Sequence, residues 1–150
     1  CLTQQQLTNQ TTPVVLLHSV AACIKSHDYN SAINNYFLAS AFFYFDSLRI
    51  PHKPSHAVVD LIKKDSIWKL SALEQQNFEQ KLEDYLASEQ KQQTCKWVAA
   101  IGSPNYMPHY MLQHLPQDGV SSNTNLPTDI KTTLFNATLN DYLGCLSPQA

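Results

Sequence analysis

The chain has 150 residues, with 10 Lys and Arg against 12 Asp and Glu and a formal net charge of -2. That length fits one domain able to bury about 70% of its unfolded surface, and the mixed charge forms no basic stripe that could track a phosphate backbone, which argues against a nucleic-acid partner. With only 3 Gly there is no Gly-rich phosphate cradle, and the longest apolar run, 36–45 with Ser40 inside it, falls far short of the roughly 18 residues that cross a bilayer.

At the start, Cys1 is followed by the polar tract LTQQQLTNQTT, which reads as a flexible tether over 1–12 ahead of a single helical domain over 13–150. A Cys followed by such a tract resembles the mature N-terminus of a bacterial lipoprotein. The resemblance implies acyl chains on Cys1 and export to the periplasm. Leu2, rather than Asp, after the Cys then implies the outer membrane, each buried CH2 contributing about 0.8 kcal/mol to anchoring. An arbitrary chain boundary or a cleaved ordinary signal peptide is the other reading.

Pro13 suits a first helical position with Thr11 or Thr12 as its cap, and Val14, Leu17, Val20, Ala21 and Ile24 give that helix an apolar stripe. The polar KSHD segment ends it, and Asp28 can cap a second helix running to about Leu48. In this second helix Tyr29, Ala32, Ile33, Tyr36, Phe37, Ala39, Ser40, Phe43, Tyr44 and Ser47 recur at steps of three and four. So broad a stripe needs partners on more than one side. Its small residues admit a neighbouring helix, while each ring offers about 150 to 250 Å² of buried area.

The spacing Tyr29, Ala32, Tyr36, Ala39, with the preceding helix, resembles a tetratricopeptide hairpin over 14–48. The resemblance implies an antiparallel helix pair. It departs from the family in lacking a Gly before Tyr29, where His27 and Asp28 make the turn, and in having no second copy about 34 residues on. A lone unit does not form the stacked groove through which that family binds peptides.

Pro51 and Pro54 favour an extended connector, and Ser55 can cap a third helix with Val58, Leu61 and Ile62 on its face. Ser71 and Glu74 form an S-x-x-E capping box that starts one helix of about 30 residues, or two in tandem, ended by Gly102 and Pro104. Pro108 can open a short helix that Pro116 closes, 117–127 is loop-like, and Thr128 or Asp129 starts a last helix ended by Gly144. With no strand alternation, the fold is predicted as all-α, five to six helices around the hairpin.

The remaining cysteines are too far apart for a CxxC metal knuckle. If Cys1 is acylated one disulfide can form, with Cys95–Cys145 favoured because both lie near predicted helix ends; if Cys1 is free, four cysteines allow three pairings. Cys23, among Val20, Ala21 and Ile24, reads as a buried free thiol.

His52 and His56 lie four apart with Pro54 between them, which argues against a zinc turn, so no metal or cofactor is expected. The chain has no G-x-S-x-G elbow, and Glu74, Glu79, Glu83, Asp84 and Glu89 read as a solvated helix face. The expectation is therefore a non-enzyme. Tyr106, Met107, His109, Tyr110, His114 and Asp118, beside fixed prolines, form the candidate partner-binding surface, since Tyr and Met bring contact area at low entropic cost. A small Cys-containing helical protein of this kind is similar to the immunity proteins that neutralise toxins delivered by contact-dependent secretion. Two alternatives stand beside it. One is an accessory lipoprotein of an envelope machine; the other is a small enzyme using separated His and Cys residues, such as Cys95 or Cys145 beside His109.

Overall fold

The computed structural model describes residues 1–115 and 126–145. Every regular element among them is helical: α1 (Pro13–Lys25), α2 (Tyr29–Arg49), α3 (Lys53–His56), α4 (Val58–Lys64), α5 (Ala72–Leu86), α6 (Gln90–Ile101), α7 (His109–Leu112) and α8 (Thr128–Ala137). Eight segments exceed the five or six expected because the 53–64 and 72–101 stretches each divide in two. The second break follows the capping residue Ala87, where Tyr85 Oη donates 3.1 Å to the Gln90 carbonyl across the corner. The Gln and Lys residues of the polar tract then continue as α6.

Local signals explain most boundaries. Thr12 Oγ1 accepts from the Val15 N–H and Pro13 opens α1, while Asp28 Oδ1 accepts from Ser31 N at 3.1 Å to open α2. Ser71 and Glu74 exchange the two hydrogen bonds of the capping box at the start of α5. Between α1 and α2, His27 N donates to Ile24 O and Asp28 N to Cys23 O at 3.0 and 2.9 Å, the paired bonds of a Schellman stop. That stop puts His27 at φ +59°, a conformation glycine adopts with less strain. Pro54 occupies the first turn of α3, where its missing N–H is not needed. Ser55 is therefore not the predicted cap: His52 Nδ1 accepts from Ser55 N at 3.2 Å and fills that role.

α2 is the axis of the fold and meets α1, α5, α6 and α8. Its rings act as separate spokes. Tyr36 meets Phe78 of α5 edge-on at 5.6 Å, Phe45 meets Phe135 of α8 at 6.2 Å, Tyr44 stacks on Tyr142 at 4.2 Å, and Phe42 lies 6.0 Å from Tyr106. Each Phe so buried contributes about 1.5–3 kcal/mol. The deepest face of α2 differs from the predicted stripe, however. It runs through Asn35, Leu38, Phe42, Phe45 and Arg49, and its polar members hid it from a count of apolar positions.

The first dozen residues are not a free tether. Leu7 is buried, Leu2 N donates to Ser19 Oγ at 2.9 Å, and the fully buried Asn35 donates to the Leu2 carbonyl at 2.8 Å. Farther on, Asn105 N donates to Asn9 O at 2.7 Å. Cys1 is joined to Cys23, which corrects two expectations: Cys23 is no free thiol, and a sulfur held in a disulfide has no valence left for an acyl thioether on Cys1. Cys95 and Cys145 form the second bridge, the pairing expected from their places near helix ends, and bind α6 to the chain just past the π-helical turn Thr138–Tyr142 that continues α8.

Candidate functional site

The segment between α6 and the end of α7 contains most of the residues singled out for partner binding. It begins where Gly102, at φ +85°, stops α6 in a backbone conformation that glycine tolerates best. Pro108 opens α7, and the 106–112 stretch folds back over α2 onto a buried charge.

That charge is Asp46, fully buried on α2, paired with Arg49 one turn later, itself 2% exposed. Arg49 Nε and Nη2 donate to Asp46 Oδ1 at 2.8 and 2.6 Å. Tyr106 Oη donates to Oδ2 at 2.6 Å, and Tyr110 Oη makes a second short hydrogen bond to the same oxygen. Arg49 Nη2 also donates to the Tyr106 carbonyl at 3.3 Å, and its guanidinium lies over the rings of Phe45 and Tyr106 at 5.3 and 5.5 Å. Withdrawing two charges from water costs several kcal/mol per ion unless the lost hydration is replaced. Four donors on one carboxylate, with two aromatic faces on the cation, replace it.

The electrostatics follow from that burial. Desolvation pushes the Asp46 carboxyl up, against the pull of Arg49 and the two hydroxyls. Tyr106 and Tyr110 are held well above the ordinary tyrosine value of 10.0, by desolvation first and then by the negative charge of Asp46. Both hydroxyls stay protonated as donors. With every lone pair of Asp46 engaged and none of it exposed, the cluster locks the 106–112 segment onto α2.

The predicted binding set therefore divides. Tyr110 is buried and Tyr106 half-buried, both turned inward to Asp46, because a phenol beside a buried carboxylate gains more as a donor than as a contact surface. Met107, His109 and His114 are exposed. Asp118, Pro116 and most of the predicted 117–127 loop lie outside the described residues. Asp46 and Arg49 were missed; the available signal was an Asp and an Arg spaced i, i+3 inside an aromatic run. His56 does not pair with His52: its ring nitrogen lies 2.6 Å from the Ile50 carbonyl. Among the described residues no three His, Cys, Asp or Glu side chains gather as metal ligands, and all four cysteines are in disulfides, so neither Cys95 nor Cys145 is a thiol beside His109. Compared with protein-family models, with curated proteins and with solved structures, the chain matches none.

Proposed function

We propose that this chain is a non-catalytic, periplasmic binding protein of the immunity kind, which neutralises a secreted bacterial toxin by docking the 106–114 segment onto it. One observation carries the reading: Asp46 pins that segment from beneath through Tyr106 and Tyr110, leaving Met107 and His109 exposed on a backbone already ordered before any partner arrives. A pre-ordered surface loses little entropy on binding, and that loss is a main opponent of affinity. The two disulfides fit an oxidising, extracytoplasmic location, and no helix of the described residues is long and apolar enough to cross a membrane. The α1–α2 pair, with its tetratricopeptide-like spacing, serves as the platform on which the segment rests.

The test is to look for a toxin gene adjacent to the gene of this chain and, where one is found, to co-express the two in the periplasm. The parent chain should restore growth and co-purify with the toxin at one-to-one stoichiometry. A Met107→Asp/His109→Asp variant with unchanged circular dichroism should do neither. Failure of the parent chain to bind or protect, or full protection by the variant, overturns the proposal.

A further inference from the structure

On a different part of the molecule, polar stripes of two helices line a cleft that the toxin-binding reading leaves unused. Asn30 and Asn34 stand one turn apart on α2, and Gln90, Gln93 and Trp97 recur at helical steps on α6. Together with Gln4 they line a cavity of about 360 Å³. It adjoins a hollow of about 520 Å³ that shares Asn30, Tyr85, Gln90 and Gln93 and carries Lys81, Asp84 and Glu89.

Two properties bear on what this cleft can hold. Its amides are unspent: among the described residues, the carboxamides of Gln4, Asn30, Asn34, Gln90 and Gln93 and the indole N–H of Trp97 have no hydrogen-bond partner in the protein. Its frame is fixed. Tyr85 Oη donates to the Gln90 carbonyl at 3.1 Å, the Cys95–Cys145 bridge holds α6, and Gln4 lies two residues after Leu2, which is held by Ser19 and Asn35 next to the Cys1–Cys23 bridge.

We infer that this cleft binds a neutral oligosaccharide. A carboxamide offers a donor and an acceptor side by side in one plane, which can bridge adjacent hydroxyls of a sugar ring, and a row of them can follow successive rings. The half-buried Trp97 provides an apolar face for the C–H side of a pyranose. The charges in the adjoining hollow, one Lys against two carboxylates, give no field to hold a phosphate or other anion. An extended peptide would seek a row of free backbone donors and acceptors; the walls here are helices whose main chain is spent internally. The oxidising location that the disulfides fit is also where a glycan is encountered.

The experiment titrates a panel of N-acetylchitotetraose, maltotetraose, cellotetraose and mannotetraose, and an unstructured Gly-Ser-Ala peptide, into a Trp68→Phe chain while Trp97 fluorescence is followed. At least one sugar should saturate. Asn34→Ala and Gln93→Ala should each weaken that sugar about ten-fold, the loss of one good hydrogen bond, with circular dichroism unchanged. Asn30→Ala, at an exposed position, provides the same reading if either of those variants fails to fold. No saturation by any of the four sugars, saturation by the peptide alone, or unaltered affinity in the amide variants overturns the inference. Because the cleft shares no residue with the 106–114 segment, either proposal can fail without the other.

Discussion

Tyr106 donates a hydrogen bond to Asp46 Oδ2 at 2.6 Å across 60 residues of sequence, and this contact joins the proline-bounded segment to the central helix. Replacing Asp46 with Ala would strand the Arg49 guanidinium, 2% exposed, without a counter-charge. The expected loss is about 3–5 kcal/mol, read as a lower urea midpoint. Tyr110→Phe should cost less, about 1.5–3 kcal/mol, since it removes one hydrogen bond to a charged group. An Asp46→Leu/Arg49→Met double variant should lose much less than the two single changes added together, because no charge is left buried alone. Additive losses would show that Asp46 and Arg49 are not coupled.

The same tyrosines predict an alkaline limit. Their folded pKa values lie well above 10.0, whereas the unfolded chain ionises them near that value. Above it the unfolded state binds fewer protons than the folded state, so stability should fall as pH rises from about 10 toward the folded values. Tyr106→Phe and Tyr110→Phe should each flatten that fall when chemical denaturation is repeated between pH 8 and pH 11. An unchanged slope would place its source elsewhere.

His27 holds the left-handed stop of α1 at φ +59°, a conformation costing a side-chain-bearing residue roughly 1 kcal/mol. His27→Gly should raise stability by about 0.5–1 kcal/mol, visible as a melting temperature higher by a few degrees. A decrease would mean that the imidazole contributes contacts outweighing the strain.

The two disulfides should differ in reduction order. Cys1 is exposed, although its partner Cys23 is fully buried, whereas Cys95 and Cys145 are both buried at 5% and 8% exposure, so only the first bridge offers an attacking thiolate an accessible sulfur. Limited reduction followed by alkylation and mass spectrometry should therefore label Cys1 and Cys23 first. Removing the Cys95–Cys145 bridge by double Ala substitution should cost about 4 kcal/mol on the chain-entropy model, against about 3 kcal/mol for Cys1–Cys23, which closes the shorter loop.

Met107 and His109 should be nearly silent in stability. Ala at either position is expected to stay within about 0.5 kcal/mol of the parent, so that any loss of partner affinity reports on the surface itself. A larger shift would show that these side chains support the lock beneath them.

The helix boundaries were legible because their causes are local. Thr12 with Pro13, Asp28, the Ser71–Glu74 box, Gly102 and Gly144 each act on backbone groups within a few residues of themselves. The role of the tyrosine- and alanine-rich helix as the centre was legible too, since its rings need more than one neighbour. The candidate site was legible only as a segment. Tyr106 and Tyr110 read as surface contacts because the carboxylate that claims their hydroxyls lies far back in the chain, in a stretch that otherwise looks apolar. For the same reason the N-terminal tract passed for a tether: its glutamines and threonines conceal Leu2, Leu7 and a cysteine that finds Cys23.

By itself, then, the order of residues determined the all-helical class and where most helices begin and end, because caps, prolines and helical periodicity act over one or two turns of chain. Only the tertiary structure decided that Cys1 is tied down by Cys23, and that Asp46 and Arg49 receive two distant tyrosines. Those outcomes depend on which groups lose their water together, a property of packing that no spacing along the chain encodes.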